Sequence, residues 1–315
     1  MKIVFAADLH GSRKLYGQLF SYALQENARC ILLGGDLLPT RLDAPWKLLN
    51  GRADFSRALS VQLEFIDSFL APALDGFTAL HPDTRVLYVP GNHDWQQAVE
   101  HLVLAAPRAL CIHGRTESQG GLSFTGYGCT TDSPFWVKDF VRRDLPHSGY
   151  VESRYPLVST PDGVSPCPDG LYAIGRPSIE EELSELGNAP GKESIFVTHC
   201  PPYASGLDTL YTGRPIGSKA IAEFIRRQTP LVSLHGHIHE APRMSGFFHC
   251  GLGRTLSVNP GHHPAELHAV AFDSQDPAGS LVHRVFGTGP AGTTGAVERH
   301  ARAIKSFIMR KALSK

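Results

Sequence analysis

Residues 85–94, RVLYVPGNHD, place four polar or flexible residues directly after a short apolar run. The pattern predicts a buried strand over residues 86–89 that ends in the motif Gly-Asn-His-Asp of residues 91–94. At that position these four residues add nothing to a hydrophobic core, so the motif indicates a functional loop. Other apolar runs in the chain end in the same way, and this recurrence points to the fold class.

Four further predicted strands end in residues that carry charge or bind metals. These strand ends are Asp8 and His10 after residues 2–7, Gly35 and Asp36 after residues 30–33, His199 after residues 194–198, and His237 and His239 after residues 231–234. In an open α/β sheet, ligands bind at the carboxyl ends of the strands. We therefore expect all five segments to converge on one crevice.

The order of predicted elements indicates an α/β fold, because helices alternate with strands through the first hundred residues. Helices are predicted over residues 14–28, 55–70, 178–186 and 218–228, and further strands over residues 109–113, 122–127, 254–258, 266–272 and 281–286. The last three strands are expected to be mostly antiparallel. Residues 132–177 hold seven prolines and no long periodic run, which predicts an irregular surface insertion. Residues 1–286 are predicted to form one domain, followed by a linker and basic helix over 287–315.

Composition excludes several classes of protein. The chain has 315 residues, 30 Lys and Arg against 30 Asp and Glu, and 42% hydrophobic residues, so it is neither disordered nor uniformly basic. No apolar run approaches the ~20 residues of a membrane span. The six cysteines form no C-x-x-C pair and predict reduced thiols in a cytoplasmic protein. The 16 histidines are notable because imidazole is the commonest metal ligand.

The ligand types at the strand ends favour a particular metal chemistry. Carboxylates, an amide oxygen and imidazoles together suit Mn, Fe, Zn or Mg. Two such ions can share one carboxylate at about 3.5–4 Å and clamp the attacking and leaving oxygens of a phosphoryl transfer. Asp36, with glycine before it, has the space to bridge two ions in this way.

Taken together, the five motifs resemble those of the calcineurin-like binuclear metallophosphoesterases, over residues 1 to about 275. Further segments resemble a bacterial and archaeal subgroup of phosphodiesterase-like members. The resemblance implies a four-layer α/β/β/α sandwich of two mixed β-sheets flanked by helices. It also implies two divalent metal ions, with Mn expected first and Fe, Zn or Mg as alternatives.

The resemblance also assigns roles to residues. It implies that Asp8, His10, Asp36 and His239 bind one metal, and that Asp36, Asn92, His199 and His237 bind the other. A metal-bridging hydroxide would attack phosphorus. His93 would face the leaving group or a phosphoryl oxygen, and Asp94 would orient His93 and raise its pKa.

Departures from the family pattern bear on the substrate. The sequence has Pro39 where many members carry a second Asp, although that Asp is not a metal ligand in the family. Neither the Asp-Arg-Gly continuation nor the Gly-Asn-His-Glu variant typical of Ser/Thr protein phosphatases is present, which disfavours phosphoprotein. We expect hydrolysis of a phosphodiester or phosphomonoester of a small molecule or nucleotide. The alternatives are a nuclease that uses the basic tail as a clamp, and a catalytically silent scaffold of the same fold.

Two segments leave alternatives open. The insertion contains Phe135, Trp136 and several arginines, which either stack a base and hold a phosphate or form a satellite core. The basic segment 296–315 either packs on the domain or on a second subunit, as in a homo-oligomer, or contacts nucleic acid or a membrane surface. Gly217 and Ser218 are expected to start a helix, with a phosphate site at its N-terminus as the alternative. Residues 259–261 predict a turn.

Overall fold

The computed structural model describes residues 1–40, 48–49, 52–53, 56–153, 155–167, 170–186 and 193–289. The strands in these ranges are β1 Lys2–Ala6, β2 Cys30–Gly34, β3 Leu48–Leu49, β4 Arg52–Ala53, β5 Arg85–Val89, β6 Ala109–Cys111, β7 Arg115–Gln119, β8 Leu122–Tyr127, β9 Thr130–Thr131, β10 Val141–Arg142, β11 Leu157–Thr160, β12 Gly163–Pro166, β13 Ser194–Thr198, β14 Val232–Leu234, β15 His249–Leu252, β16 Thr255–Val258, β17 Val270–Asp273 and β18 Val282–His283. The helices are α1 Arg13–Gln25, α2 Ser56–Phe65, α3 Ala71–Leu80, α4 Gln96–Ala105, α5 Leu171–Ile174, α6 Ile179–Glu185, α7 Lys219–Gln228, α8 Ala241–Ser245 and α9 Pro277–Ser280.

Two six-stranded mixed sheets form the centre of the fold. The first has the order β18-β17-β1-β2-β5-β6, and the second has the order β15-β16-β14-β13-β8-β7. In the first sheet β1, β2, β5 and β6 run parallel, while β17 and β18 are antiparallel additions at one side. In the second sheet β8, β13, β14 and β16 run parallel, with antiparallel β7 and β15 at its edges.

The alternation of side chains along each strand builds the layers. On β1, Ile3 and Phe5 pack between the two sheets, against residues such as Val197 of β13. Val4 and Ala6 point the other way, into a core shared with the helices. The arrangement is the expected α/β/β/α sandwich, and the predicted fold class is confirmed.

Several predicted boundaries differ from those observed. The helix predicted to end at residue 70 instead continues through a π-helical segment, Ile66–Leu70, into α3. Pro72 lies in the first turn of α3, where a missing N–H costs little. Helix α4 was not predicted. The predicted strand 254–258 corresponds to β16, which is parallel to β14 and therefore belongs to the main body of the second sheet.

The insertion is more ordered and more buried than an irregular surface segment would be. It contains β10, the hairpin of β11 and β12, and helix α5. Val141 and Tyr172 are buried there, as is the side chain of Lys138. Short elements, a buried ion pair and a small apolar cluster therefore give fixed structure to parts of the segment predicted as an irregular surface insertion.

Two predictions concern residues outside this description. The described residues do not include the basic helix predicted for residues 296–315 or most of the linker 287–295. They also do not include Arg154, one of the arginines of the insertion. Within the described ranges, every helix is either too short or too polar to cross a membrane.

Candidate metal centre and active site

The candidate ligands lie in loops that follow the parallel strands of both sheets. Four of them, Asp8, His10, Asp36 and His237, have positive φ angles of 59°, 44°, 52° and 68°. Non-glycine residues rarely adopt this left-handed conformation, and it persists where the surrounding structure imposes it. Here backbone hydrogen bonds tie the loops together, from the Asp8 N–H to the Gly35 carbonyl and from the His10 N–H to the Asp36 carbonyl.

The first expected ligand set is brought together in the structure. Ligand atoms of Asp8, His10, Asp36 and His239 all lie within 4.8 Å of one another. The Nε2 atoms of His10 and His239 are 3.1 Å apart, and His239 Nε2 is 3.3 Å from Asp8 Oδ1. Four side chains from three separate loops therefore point at one small volume.

Three of the four residues expected at the second metal are in direct contact. His199 Nε2 lies 3.4 Å from Asp36 Oδ1 and 3.2 Å from Asn92 Oδ1. The other ring nitrogen, His199 Nδ1, lies 2.6 Å from the Gly34 carbonyl and so fixes the ring orientation. The His237 ring lies beside that of His199, with centroids 5.2 Å apart. Asp36 contacts both groups.

Glycine is required where the loops approach one another. A Cβ atom on Gly91 would lie 2.2 Å from Asp36 Oδ1 and 2.8 Å from His199 Nε2. A Cβ on Gly236 would lie 2.7 Å from Asp8 Oδ2. These separations are far below van der Waals contact, so the glycine of each motif makes room for a carboxylate.

Charge in the centre is concentrated on buried groups. Burial alone would raise the pKa of Asp8, but the imidazoles of His239 and His199 together outweigh burial and lower that pKa to about 2. For a histidine, burial acts in the opposite direction and lowers the pKa. In His199 the carboxylates of Asp36 and Asp8 outweigh burial and raise the pKa to about 9. The buried carboxylates thus attract positive charge strongly.

The position of Asp94 corrects an expectation. Its Oδ2 accepts hydrogen bonds from the N–H groups of Gly91 and Leu37 at 2.9 and 3.1 Å, and its Oδ1 accepts one from Leu38 at 2.9 Å. His93 Nδ1 is buried without a hydrogen-bond partner among the described residues. Asp94 therefore holds loop backbone and does not orient the His93 imidazole. The pKa of His93 is lowered, not raised, because burial disfavours its charged form.

His93 itself lies at the edge of the centre. Its ring centroid is 5.6 Å from that of His10, and its backbone N–H donates to Asp36 Oδ1 at 2.8 Å. Its carbonyl accepts a hydrogen bond from Gln62, whose side-chain oxygen accepts from the Trp95 N–H. Helix α2 thus braces the loop that carries His93 through Gln62, a buried residue that the sequence patterns did not indicate.

Two residues near the centre were missed as site residues. The His262 ring lies 4.7 Å from that of His239 and 5.4 Å from that of His10, measured between centroids. His262 follows β16, whose carboxyl end lies on the same sheet edge as the other ligands, so applying the strand-end rule there would have found it. Phe135 was noted only as an aromatic of the insertion, and its ring lies 5.2 Å from that of His93.

Other expected segments have structural roles. Asn259 donates to the carbonyls of Leu207, Gly236 and Ile238, and its side-chain oxygen accepts from Gly261, so the predicted turn braces the loop of His237. At the N-terminus of α7, the Asp144 carboxylate accepts from Ser218 Oγ and from the Lys219 N–H. An acidic side chain of the insertion therefore takes the place at this helix end where a phosphate was considered.

The arrangement fits divalent cations on its own geometry. Asp36 Oδ2 is buried and has no hydrogen-bond partner among the described residues. Two further observations indicate a cation site. The ring nitrogens of His10 and His239 face each other, and the pKa of Asp8 is low. Buried carboxylates are normally paired or bound to metal, and oxygen and imidazole donors suit first-row divalent ions.

Three solved structures are similar to this chain along most of its length. One solved structure is 16% identical with a TM-score of 0.59, covering 90% of this chain and 98% of its own. The protein TT1561 of Thermus thermophilus is 19% identical with a TM-score of 0.54, covering 92% and 99%. A third, described as a novel archaeal phosphodiesterase, is 12% identical with a TM-score of 0.41, covering 90% and 98%. No protein with a curated description matches the chain.

The first two likenesses show the fold, and the family model goes further. A model described as calcineurin-like phosphoesterase matches residues 1–241, which include every candidate ligand. The resemblance expected from the strand-end motifs is confirmed. The chain belongs to the calcineurin-like phosphoesterase family, hydrolases that act on phosphoric esters.

Proposed function

We propose that the protein hydrolyses phosphodiesters or nucleotide-type phosphate esters with two divalent metal ions. The observation that carries the proposal is the position of Asp36 between two groups of ligands. One of its oxygens is 3.8 Å from His10 Nε2, and the other is 3.4 Å from His199 Nε2. A carboxylate placed in this way suits a bridge between two cations.

We assign the ligands of both ions to loops of the two sheets. Asp8, His10, Asp36 and His239 would hold one ion, and Asp36, Asn92, His199 and His237 the other. When bound, such ions neutralise charge on the phosphoryl oxygens and lower the pKa of a water ligand. The buried carboxylates supply the negative charge that retains them. Mn is our first candidate, and Fe, Zn and Mg suit the same donors.

The remaining residues position this set. His199 is held by the Gly34 carbonyl, and the loop of His237 is held by Asn259 and by the Asp8 carboxylate, which accepts from the His237 N–H. The His93 side chain is half-buried and its ring lies beside that of the candidate ligand His10, so we assign its imidazole to a phosphoryl or leaving-group oxygen. We infer that it donates a hydrogen bond that stabilises charge developing during hydrolysis.

The ligand set also weighs against the silent scaffold. A scaffold of this fold is expected to have lost ligands or the histidine at position 93, and here all seven ligand positions and His93 are filled. A nuclease activity through the basic segment 296–315, a homo-oligomer and a cytoplasmic location stay predictions from the sequence alone.

The test is hydrolysis of bis-p-nitrophenyl phosphate by metal-free and Mn-loaded protein. We expect no activity without metal, activity with Mn, and loss of both activity and bound metal in Asp36→Asn. The matched control is Asp83→Asn, which removes one carboxylate that is exposed and paired only with Arg29 among the described residues. Asp83→Asn should behave as wild type. Wild-type turnover by Asp36→Asn with two metals per chain would overturn the bridging role.

A further inference from the structure

We propose that Phe135 is a specificity residue, which packs against a flat aromatic group of the nucleobase class in the ester that the protein hydrolyses. This inference rests on the proposed phosphoesterase function and adds a substrate class to it. It comes from the position of the ring, from its exposure and from the way its loop is held.

The ring of Phe135 continues a row of side chains that leads out of the metal centre. Its centroid lies 5.2 Å from that of His93 at an angle of 59°, and His93 lies 5.6 Å from His10, a candidate ligand. Despite this neighbour, Phe135 is 44% exposed. A large apolar ring at the rim of a polar centre therefore presents a surface to whatever extends from a phosphate bound there.

The loop that carries Phe135 is held by a buried ion pair. Lys138 Nζ lies 2.7 Å from Asp132 Oδ1 and also donates to the Ser133 carbonyl at 2.5 Å, and its side chain is fully buried. Asp132 Oδ2 in turn accepts from the Val151 N–H and the Tyr172 hydroxyl. Burying an ion pair costs desolvation energy and adds little net stability. What this pair supplies is a defined loop conformation.

The residues whose hydrogen bonds hold this loop lie on both sides of Phe135 in the chain. Asp132 and Lys138 are bonded to each other across the turn, and Ser153 Oγ donates to the carbonyls of Pro134 and Phe135 at 3.2 and 3.4 Å. The segment that carries Phe135 is thus held on both sides in the chain and at the Phe135 carbonyl, while the Phe135 side chain stays exposed. A preorganised side chain loses little conformational freedom when a ligand packs on it.

The shape of this surface favours a planar ligand. An aromatic ring buries the most area against another flat ring, and stacking a base on an aromatic side chain tolerates any base. The His93 ring lies 5.2 Å from that of Phe135 and 5.6 Å from that of His10, so a gap would separate a ring packed on Phe135 from a phosphate bound at the metal centre. A sugar between phosphate and base spans such a gap.

The test measures binding of two ligands that differ only in the base. AMP and ribose 5-phosphate are titrated into Mn-loaded wild type, Phe135→Ala, Phe135→Leu and Phe135→Trp by isothermal calorimetry. We expect wild type to bind AMP roughly five- to a hundredfold more tightly than ribose 5-phosphate. The preference should disappear in Phe135→Ala, shrink in Phe135→Leu and persist in Phe135→Trp, with binding of ribose 5-phosphate unchanged throughout.

The control variant is Leu104→Ala, which removes an exposed apolar side chain from the end of α4. It should keep the wild-type preference. A wild type that does not distinguish the two ligands, or a preference that survives in Phe135→Ala, would overturn the assignment. Hydrolysis of bis-p-nitrophenyl phosphate by the same wild-type sample separates the two proposals. Hydrolysis without a preference for AMP would overturn the Phe135 assignment alone, and absence of hydrolysis would overturn the phosphoesterase proposal on which that assignment rests.

Discussion

Replacing Asp94 with Asn separates a structural from a catalytic role for this carboxylate. In the structure Asp94 accepts three backbone hydrogen bonds, two at Oδ2 and one at Oδ1. An asparagine can direct its single carbonyl oxygen at Gly91 and Leu37, but its NH₂ group then faces the Leu38 N–H. One buried donor, the Leu38 N–H, therefore loses its acceptor.

The expected cost follows from these three bonds. A buried donor left without a partner costs about 1–3 kcal/mol. We expect the free energy of unfolding of Asp94→Asn to fall by about 1–3 kcal/mol. Burial, together with the nearby Asp36 charge, raises the pKa of Asp94 to about 7, so above about pH 4 its ionisation disfavours the folded state and a neutral amide would relieve that cost. The comparison therefore belongs at about pH 4, where the folded carboxyl is protonated and the two proteins differ in hydrogen bonding rather than in charge.

Urea unfolding of the metal-free protein measures this difference, with Asp83→Asn as the exposed control. The samples are metal-free so that a loss of metal affinity does not contribute to the measured free energy of unfolding. If Asp94 acted instead by orienting His93, its replacement would leave the unfolding free energy within about 0.5 kcal/mol of wild type and would reproduce the kinetic defect of a His93 variant. That outcome would refute the structural role argued from the three bonds.

Other predictions can be checked with the same preparations. His93→Gln should keep both metals and lose roughly 10²–10³-fold in kcat. The loss should be similar on alkyl and nitrophenyl esters, because a neutral imidazole donates a hydrogen bond without delivering a proton. A much larger loss on alkyl esters would show proton transfer. Gly91→Ala should lower metal content by plasma mass spectrometry, since its Cβ would collide with Asp36; full metal content would contradict the close approach. If residues 296–315 bind nucleic acid, their removal should abolish a salt-dependent gel shift and spare hydrolysis of small esters; a change in oligomeric mass alone would make the segment a packing element.

Sequence patterns predicted the centre because its residues occupy a repeated position. Asp8, Asp36, Asn92, His199 and His237 all follow parallel strands, and the geometry of parallel sheets brings such positions to one edge. Local capping signals were equally informative. At the start of the helix predicted over residues 178–186, Ser178 and Glu181 have the spacing of a capping box and form one, and Ser12 caps α1.

The features that sequence patterns did not predict depend on contacts between distant segments. Asp94 was assigned to its neighbour His93, but its partners Leu37 and Leu38 come from another loop. A lysine in a proline-rich stretch is ordinarily exposed, whereas Lys138 is buried and paired with Asp132. Such pairings follow from the tertiary arrangement of the chain and leave no periodic signal.

The central claim, that two metal ions shared by Asp36 carry out hydrolysis, is tested most directly by a metal titration. Metal-free protein is titrated with Mn while bound metal per chain and hydrolysis of bis-p-nitrophenyl phosphate are measured on the same samples. We predict that activity appears only as the chain approaches two equivalents of bound Mn, and that excess chelator followed by dialysis removes both. Full activity in the dialysed, metal-free protein would contradict the account.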